Sequence, residues 1–75
     1  MNKVIVWSKN NCPACSTAKL YLESKNIDFE ERNIEGDTWT KEDLFKAIPT
    51  ARSVPLIQTN EAVLSGIIEL RRYFD

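Results

Sequence analysis

Trp7-Ser8-Lys9-Asn10-Asn11-Cys12-Pro13-Ala14-Cys15 is the stretch on which the fold turns. An apolar strand pattern gives way to a helical one inside it, and both cysteines of the chain stand at the changeover. A Cys-x-x-Cys pair in the first turn of a helix puts two sulfurs at the same end of one element, close enough to cycle between dithiol and disulfide. Pro13 suits the first helical position, where its missing N–H would have no partner, so Cys12 stands just outside the helix and Cys15 inside its first turn. Unpaired N–H groups and the helix dipole favour negative charge at such an end, and the thiolate is the nucleophilic form of cysteine. Cys12 is therefore the expected attacking thiol, exposed, with Cys15 partly covered.

Working outward, positions 3–7 (Lys-Val-Ile-Val-Trp) form a continuous apolar, β-branched run, as expected of a central strand buried on both faces of a parallel sheet. Positions 8–11 are polar, and the adjacent Asn10 and Asn11 tolerate left-handed backbone, so the chain turns there. From Pro13 to about Lys25, Ala14, Ala18, Tyr21 and Leu22 recur at helical spacing. Positions 27–34 read as a weaker strand, solvated on one side or at an edge, and the acidic residues between 28 and 37 as a solvated face. After the break at Glu35-Gly36-Asp37, Thr40 followed by Asp43 resembles a capping box that opens a short helix carrying Leu44, Phe45 and Ile48, ended by Pro49 and Thr50. Positions 54–59 and 62–64 are apolar runs separated by Asn60-Glu61, the length of a tight hairpin. Past Ser65-Gly66, helical spacing returns at Ile67, Leu70 and Phe74, with Arg71 and Arg72 near the favourable C-terminal end. The order is βαβαββα. A right-handed βαβ unit followed by a hairpin makes the sheet mixed and four-stranded, in one α/β domain over residues 1–75.

Composition narrows the chemistry. The 75 residues are 43% hydrophobic and 28% charged, which predicts a folded core rather than disorder. Ten basic against eleven acidic residues give a net charge of −1, which offers no reason to expect nucleic acid or an anionic membrane as partner. No apolar run is long enough to span a bilayer and no signal-peptide pattern opens the chain, so a cytoplasmic location is expected. In that reducing compartment a lone close-spaced cysteine pair is catalytic or metal-binding sooner than a structural staple. Histidine is absent, which removes Ser-His-Asp and Cys-His nucleophiles and every His-ligated metal site. Two cysteines supply half of a four-thiolate site, so a metal or iron–sulfur centre would need two chains or added thiols. Lys9, three residues before Cys12, is placed to stabilise a thiolate and meet a substrate carboxylate, with Arg52 a weaker candidate. Trp7 and Trp39 are read as packing residues.

These residues resemble the glutaredoxins, within the thioredoxin fold, over almost the whole chain. The resemblance is carried by Trp7-Ser8-Lys9 leading into Cys12-Pro13-Ala14-Cys15, by Arg52-Ser53-Val54-Pro55, by Ser65-Gly66 and by the terminal Leu70-Arg71-Arg72-Tyr73-Phe74. The compact length is similar to that of phage-encoded members. The resemblance implies a thioredoxin-like fold and a thiol–disulfide oxidoreductase with Cys12 and Cys15 catalytic, no bound cofactor or metal, and glutathione as co-substrate. It further implies a cis Pro55 beside the cysteines, a Val54 backbone that pairs with the substrate, and glutathione contacts from Lys9, Arg52, Val54, Pro55, Gly66 and Ile67. Protein disulfides are the other substrates implied, for a monomer. Three departures bear on this. Ala14 stands where the family commonly has Tyr, Ser65-Gly66 replaces Gly-Gly, and Ile68 occupies a position where an Asp would face the glutathione ammonium. Ser-Gly is also similar to redoxins that are reduced by thioredoxin reductase and serve ribonucleotide reductase, which is one alternative. A dimeric iron–sulfur carrier is the other.

Overall fold

The computed structural model describes residues 4–75. Lys3, counted above in the first strand, lies outside the described residues. The elements run β1 (Val4–Ser8), α1 (Pro13–Ser24), β2 (Phe29–Asn33), α2 (Lys41–Ala47), β3 (Leu56–Gln58), β4 (Val63–Ser65) and α3 (Gly66–Phe74). The sheet order is β2-β1-β3-β4, with β1 parallel to β2 and antiparallel to β3, and β3 antiparallel to β4. This is the expected βαβαββα chain with a mixed four-stranded sheet: β1 is central and β2 an edge.

The apolar run of β1 is explained by its two faces. Successive strand residues point to opposite sides, and Val4 and Val6 enter one core cluster with Ala18 and Leu22 of α1, Ile57, Leu64, and Leu70 of α3. Trp7 enters the other, with Leu44 and Ile48 from the α2 segment and Leu56, and Ile5 packs against it. Helices thus cover both faces, α1 and α3 on one and α2 on the other. Among the described residues no helix is long and apolar enough to cross a membrane.

Local chemistry sets the boundaries. α1 ends at Ser24, where Asn26 takes left-handed backbone (φ 58°), its N–H donating to the Glu23 carbonyl and that of Ile27 to the Leu22 carbonyl, both at 3.0 Å. That pair of bonds is a Schellman close, with Asn standing where glycine is commonest. It takes Ile27 out of the predicted strand, so β2 starts at Phe29. The Thr40–Asp43 capping box is present: Asp43 N–H donates to Thr40 Oγ1 at 3.3 Å and Thr40 N–H to Asp43 Oδ2 at 2.9 Å. Phe45, expected on the inner face of that helix, is exposed, whereas Leu44 and Ile48 are buried. On α1 the buried positions are Cys15, Ala18 and Leu22, one stripe at i, i+3 and i+7, and Ala14 falls outside it on the surface. The first hairpin strand, β3, starts at Leu56 rather than at Val54, because Pro55 has no N–H to give to a ladder. Its turn closes through Thr59 N–H to the Ala62 carbonyl at 2.8 Å, leaving Asn60-Glu61 as the two-residue loop.

Candidate functional site

The site is built where β1 ends. Ser8, buried, donates its hydroxyl to Glu31 Oε2 at 2.8 Å, and the chain then turns through Asn11 in left-handed backbone (φ 54°). That turn is tied to the last residue of β2 and to the turn that follows it. Asn33 Nδ2 donates to Asn10 Oδ1 at 3.0 Å, and Asn10 N–H donates to Glu35 Oε1 at 2.9 Å. The loop that presents the cysteines is therefore anchored at Asn10 by two hydrogen bonds.

Cys12 is the N-cap of α1, with Pro13 at the first helical position. Its backbone is extended (φ −121°, ψ 92°), its carbonyl accepts from Ser16 N–H at 3.1 Å, and its Sγ accepts from Cys15 N–H at 3.2 Å. A sulfur thus stands in the place a Ser or Asp oxygen usually takes at a helix start, directed at the unpaired N–H groups. The two Cα atoms are 5.2 Å apart and the sulfurs are joined as a disulfide. Cys12 is half-buried, while Cys15 keeps only 1% of its surface. The two cysteines are unequally placed, as the helix start predicts, but both are more covered than expected: Cys12 is half-buried rather than exposed, and Cys15 is enclosed rather than partly covered.

A polar cleft opens beside the disulfide, walled by Lys9, Lys19, Glu31 and Asn33. Glu31 accepts from Lys19 Nζ at 2.8 Å and from Ser8; the Lys19 hydrogen bond above all holds its carboxyl below the usual carboxylate range. A second groove, of about 230 Å³, shares Lys9 as a wall and is lined by Lys41, Phe45, Arg52 and Val54 over Ile34 and Leu44. Of the six residues with which the resemblance surrounds glutathione, Lys9, Arg52 and Val54 thus line one groove. Pro55 is buried and does not line it; it is joined to Val54 by a cis peptide bond, and its carbonyl accepts from Gly66 N–H at 3.4 Å. Ile67 lies apart: its side chain packs on the α1–α3 core and lines a groove between those helices with Tyr21, Arg71 and Asp75. That groove is larger, about 520 Å³, but no thiol lines it, so the chemistry belongs at the disulfide.

Four residues were missed by the sequence reading: Lys19, Glu31, Lys41 and Phe45. Lys19 had a signal, since it follows Cys15 by four positions and so shares its helix face. Lys41 had one too, because the capping box sets it at the first helical position. Glu31 needed the register, which lays it across from Val6 on β1. Trp7 and Trp39 keep the packing role expected of them: their rings meet edge to face at 5.7 Å, and the Arg32 guanidinium lies 4.1 Å from the Trp39 centroid and 5.3 Å from that of Trp7. Among the described residues no group of three or more His, Cys, Asp or Glu side chains is gathered as a metal ion would need.

The glutaredoxin family model matches residues 4–63. A glutaredoxin-like 8.6 kDa protein of a rubredoxin operon in Clostridium pasteurianum is 33% identical over 61 residues, covering 81% of this chain and 80% of its own. Glutaredoxin 3 of Escherichia coli is 37% identical over 46 residues, which span 61% of this chain and 55% of that protein. In three dimensions, glutaredoxin 1 of Francisella tularensis, crystallised with cacodylate, superposes with a TM-score of 0.79 at 27% identity, over 100% of this chain and 94% of that one. With a half-exposed cysteine capping a helix, a buried one a turn inside it and a family match across β1 to β4, the chain belongs to the glutaredoxin family of thiol oxidoreductases.

Proposed function

We propose that this protein reduces glutathione mixed disulfides and protein disulfides with electrons from glutathione, working as a monomer in the cytoplasm without a bound cofactor. The observation that carries the reading is the unequal placement of the two sulfurs, Cys12 at the helix cap and half-exposed, Cys15 enclosed. The Cys12 thiolate attacks a substrate sulfur, the substrate S–S bond breaks, and the departing thiolate takes a proton from water. The mixed disulfide then has two exits. Cys15 attacks Cys12 Sγ, releasing the substrate thiol and forming the Cys12–Cys15 disulfide, or a second glutathione attacks the adduct directly. Two glutathione molecules return the internal disulfide to the dithiol and leave as glutathione disulfide, so electrons and protons balance.

Lys9 and Arg52 are suited to the glycyl carboxylate of glutathione, and the Val54 backbone beside Pro55 to pairing with its cysteinyl amide as an added strand would. At the γ-glutamyl end the backbone near Gly66 and Ile67 is left to serve. The acid of that helix turn, Glu69, accepts from Ser65 N–H at 2.9 Å, and Ile68 is 67% exposed. That apolar surface, where a carboxylate would meet an ammonium, favours a second reading: reduction by thioredoxin reductase, with ribonucleotide reductase among the proteins served. A coupled assay separates the two. Turnover of a glutathionylated peptide with glutathione and its reductase supports the first reading; turnover only with thioredoxin reductase replaces it by the second.

A further inference from the structure

The groove that shares Lys9 with the disulfide cleft carries more positive charge than glutathione uses. Lys9, Lys41 and Arg52 line it, all exposed, and no carboxylate does. None of the three enters an ion pair among the described residues. Of the acids close by in sequence, Glu42 does not line the groove, Asp43 accepts from Thr40 N–H, and Glu35 accepts from Asn10 N–H while its own N–H donates to Asn33 Oδ1. One substrate carboxylate answers Lys9 and Arg52, which leaves Lys41 unanswered at the first position of α2. Phe45, one turn on and 46% exposed, offers apolar surface beside it. Because Lys9 walls both spaces, a chain whose sulfur meets Cys12 lays the residues next to that sulfur along this groove.

We infer that Lys41 selects protein disulfides whose reacting cysteine is flanked by an acidic side chain, with Phe45 carrying that side chain's aliphatic stem. This rests on the thiol–disulfide reading above and extends it from glutathione to the choice of protein partner. The preference is electrostatic and acts in water, so it is modest and weakens with salt.

The test uses the full chain with Cys15→Ser, leaving Cys12 as the one thiol. Three peptides carry Glu, Gln or Lys beside a cysteine activated as its 2-thiopyridyl disulfide. The Cys12 thiolate attacks the peptide sulfur, the S–S bond breaks, and pyridine-2-thione leaves and is followed by absorbance. Each rate is divided by that of the same peptide with 2-mercaptoethanol, an uncharged thiol. The Glu peptide should exceed the Gln peptide about fivefold at low salt, the size of one partly exposed ion pair. Lys41→Gln should cut that ratio by at least half, and Lys41→Glu should invert it in favour of the Lys peptide, a reversal that a misfolded variant cannot produce. Equal rates for all three peptides, or a ratio unmoved by both substitutions, overturns the inference. Thione release no faster than from the chain lacking both cysteines overturns the thiol–disulfide reading itself, and the inference with it.

Discussion

Removing the Thr40 hydroxyl tests how the short helix beside the groove is held. Seven residues are too few for a helix to stand alone in water, so α2 depends on its cap and on the burial of Leu44. Thr40→Ala removes the acceptor of Asp43 N–H, a bond of 3.3 Å, and the hydroxyl that touches Asp43 Oδ2 at 3.1 Å, but leaves the 2.9 Å bond from Thr40 N–H in place. Loss of such a cap costs about 1 kcal/mol. For 75 residues, an unfolding entropy of about 2.1 cal/mol/K per residue comes to roughly 0.16 kcal/mol/K, so the melting temperature should fall by about 6 °C. Asp43→Ala should cost a similar amount, and the double variant less than the sum, because each single change disables the same reciprocal pair. Thermal unfolding by circular dichroism at fixed redox state measures all three. A shift within 1 °C of zero for Thr40→Ala, or strictly additive losses, would refute the claim that the box holds this end of α2.

Three further outcomes are expected. Lys9→Gln should move Cys12 thiolate formation to higher pH, read from ultraviolet thiolate absorbance of the reduced protein, because a cation of the cleft is lost; an unmoved midpoint would make Lys9 a surface lysine. Ile68→Asp should lower the KM for a glutathionylated peptide by an amount on the order of 1 kcal/mol, with the fold unchanged by circular dichroism, and no change there would count against the glutathione pose. Asp75 accepts from Tyr21 and from Lys25 Nζ, which hold its carboxyl down to about 2, the Tyr21 hydrogen bond most of all. A carboxyl depressed in the folded state adds stability above its unfolded pKa and loses it as pH falls through the folded one. Asp75→Asn should therefore lower the melting temperature at neutral pH, with the difference closing toward pH 2; a constant difference across that range would contradict the assignment.

Much of this was legible in the residues because the deciding signals were local. Continuous β-branched residues at 4–6 marked a strand covered on both faces, Pro13 marked the helix start, and Thr40 with Asp43 marked a cap that the structure contains. What escaped depended on partners far along the chain or on chemistry that two residues share. Asn26 ends α1 through bonds visible only once Leu22 and Glu23 carbonyls are in place. Phe45 carries an apolar side chain, yet the inner face of a seven-residue helix has room for Leu44 with Ile48 just beyond, so the ring is left outside. In the sequence Glu31 is one acid among several on a solvated face, and only the pairing of β2 with β1 sets it against Ser8, Lys19 and the cysteine cleft. The convergence of Lys9, Lys41 and Arg52 is of the same kind, since three loops and helix ends meet there.

Trapping with glutathione disulfide separates the roles of the two sulfurs. Cys15→Ser and Cys12→Ser, each reduced and then given glutathione disulfide for the same short time, are quenched with acid and weighed by mass spectrometry. Cys15→Ser should gain one glutathione, localised to Cys12 by peptide mapping, while Cys12→Ser stays unmodified because its remaining thiol is enclosed. An adduct on Cys15 forming as fast as that on Cys12 would contradict the account.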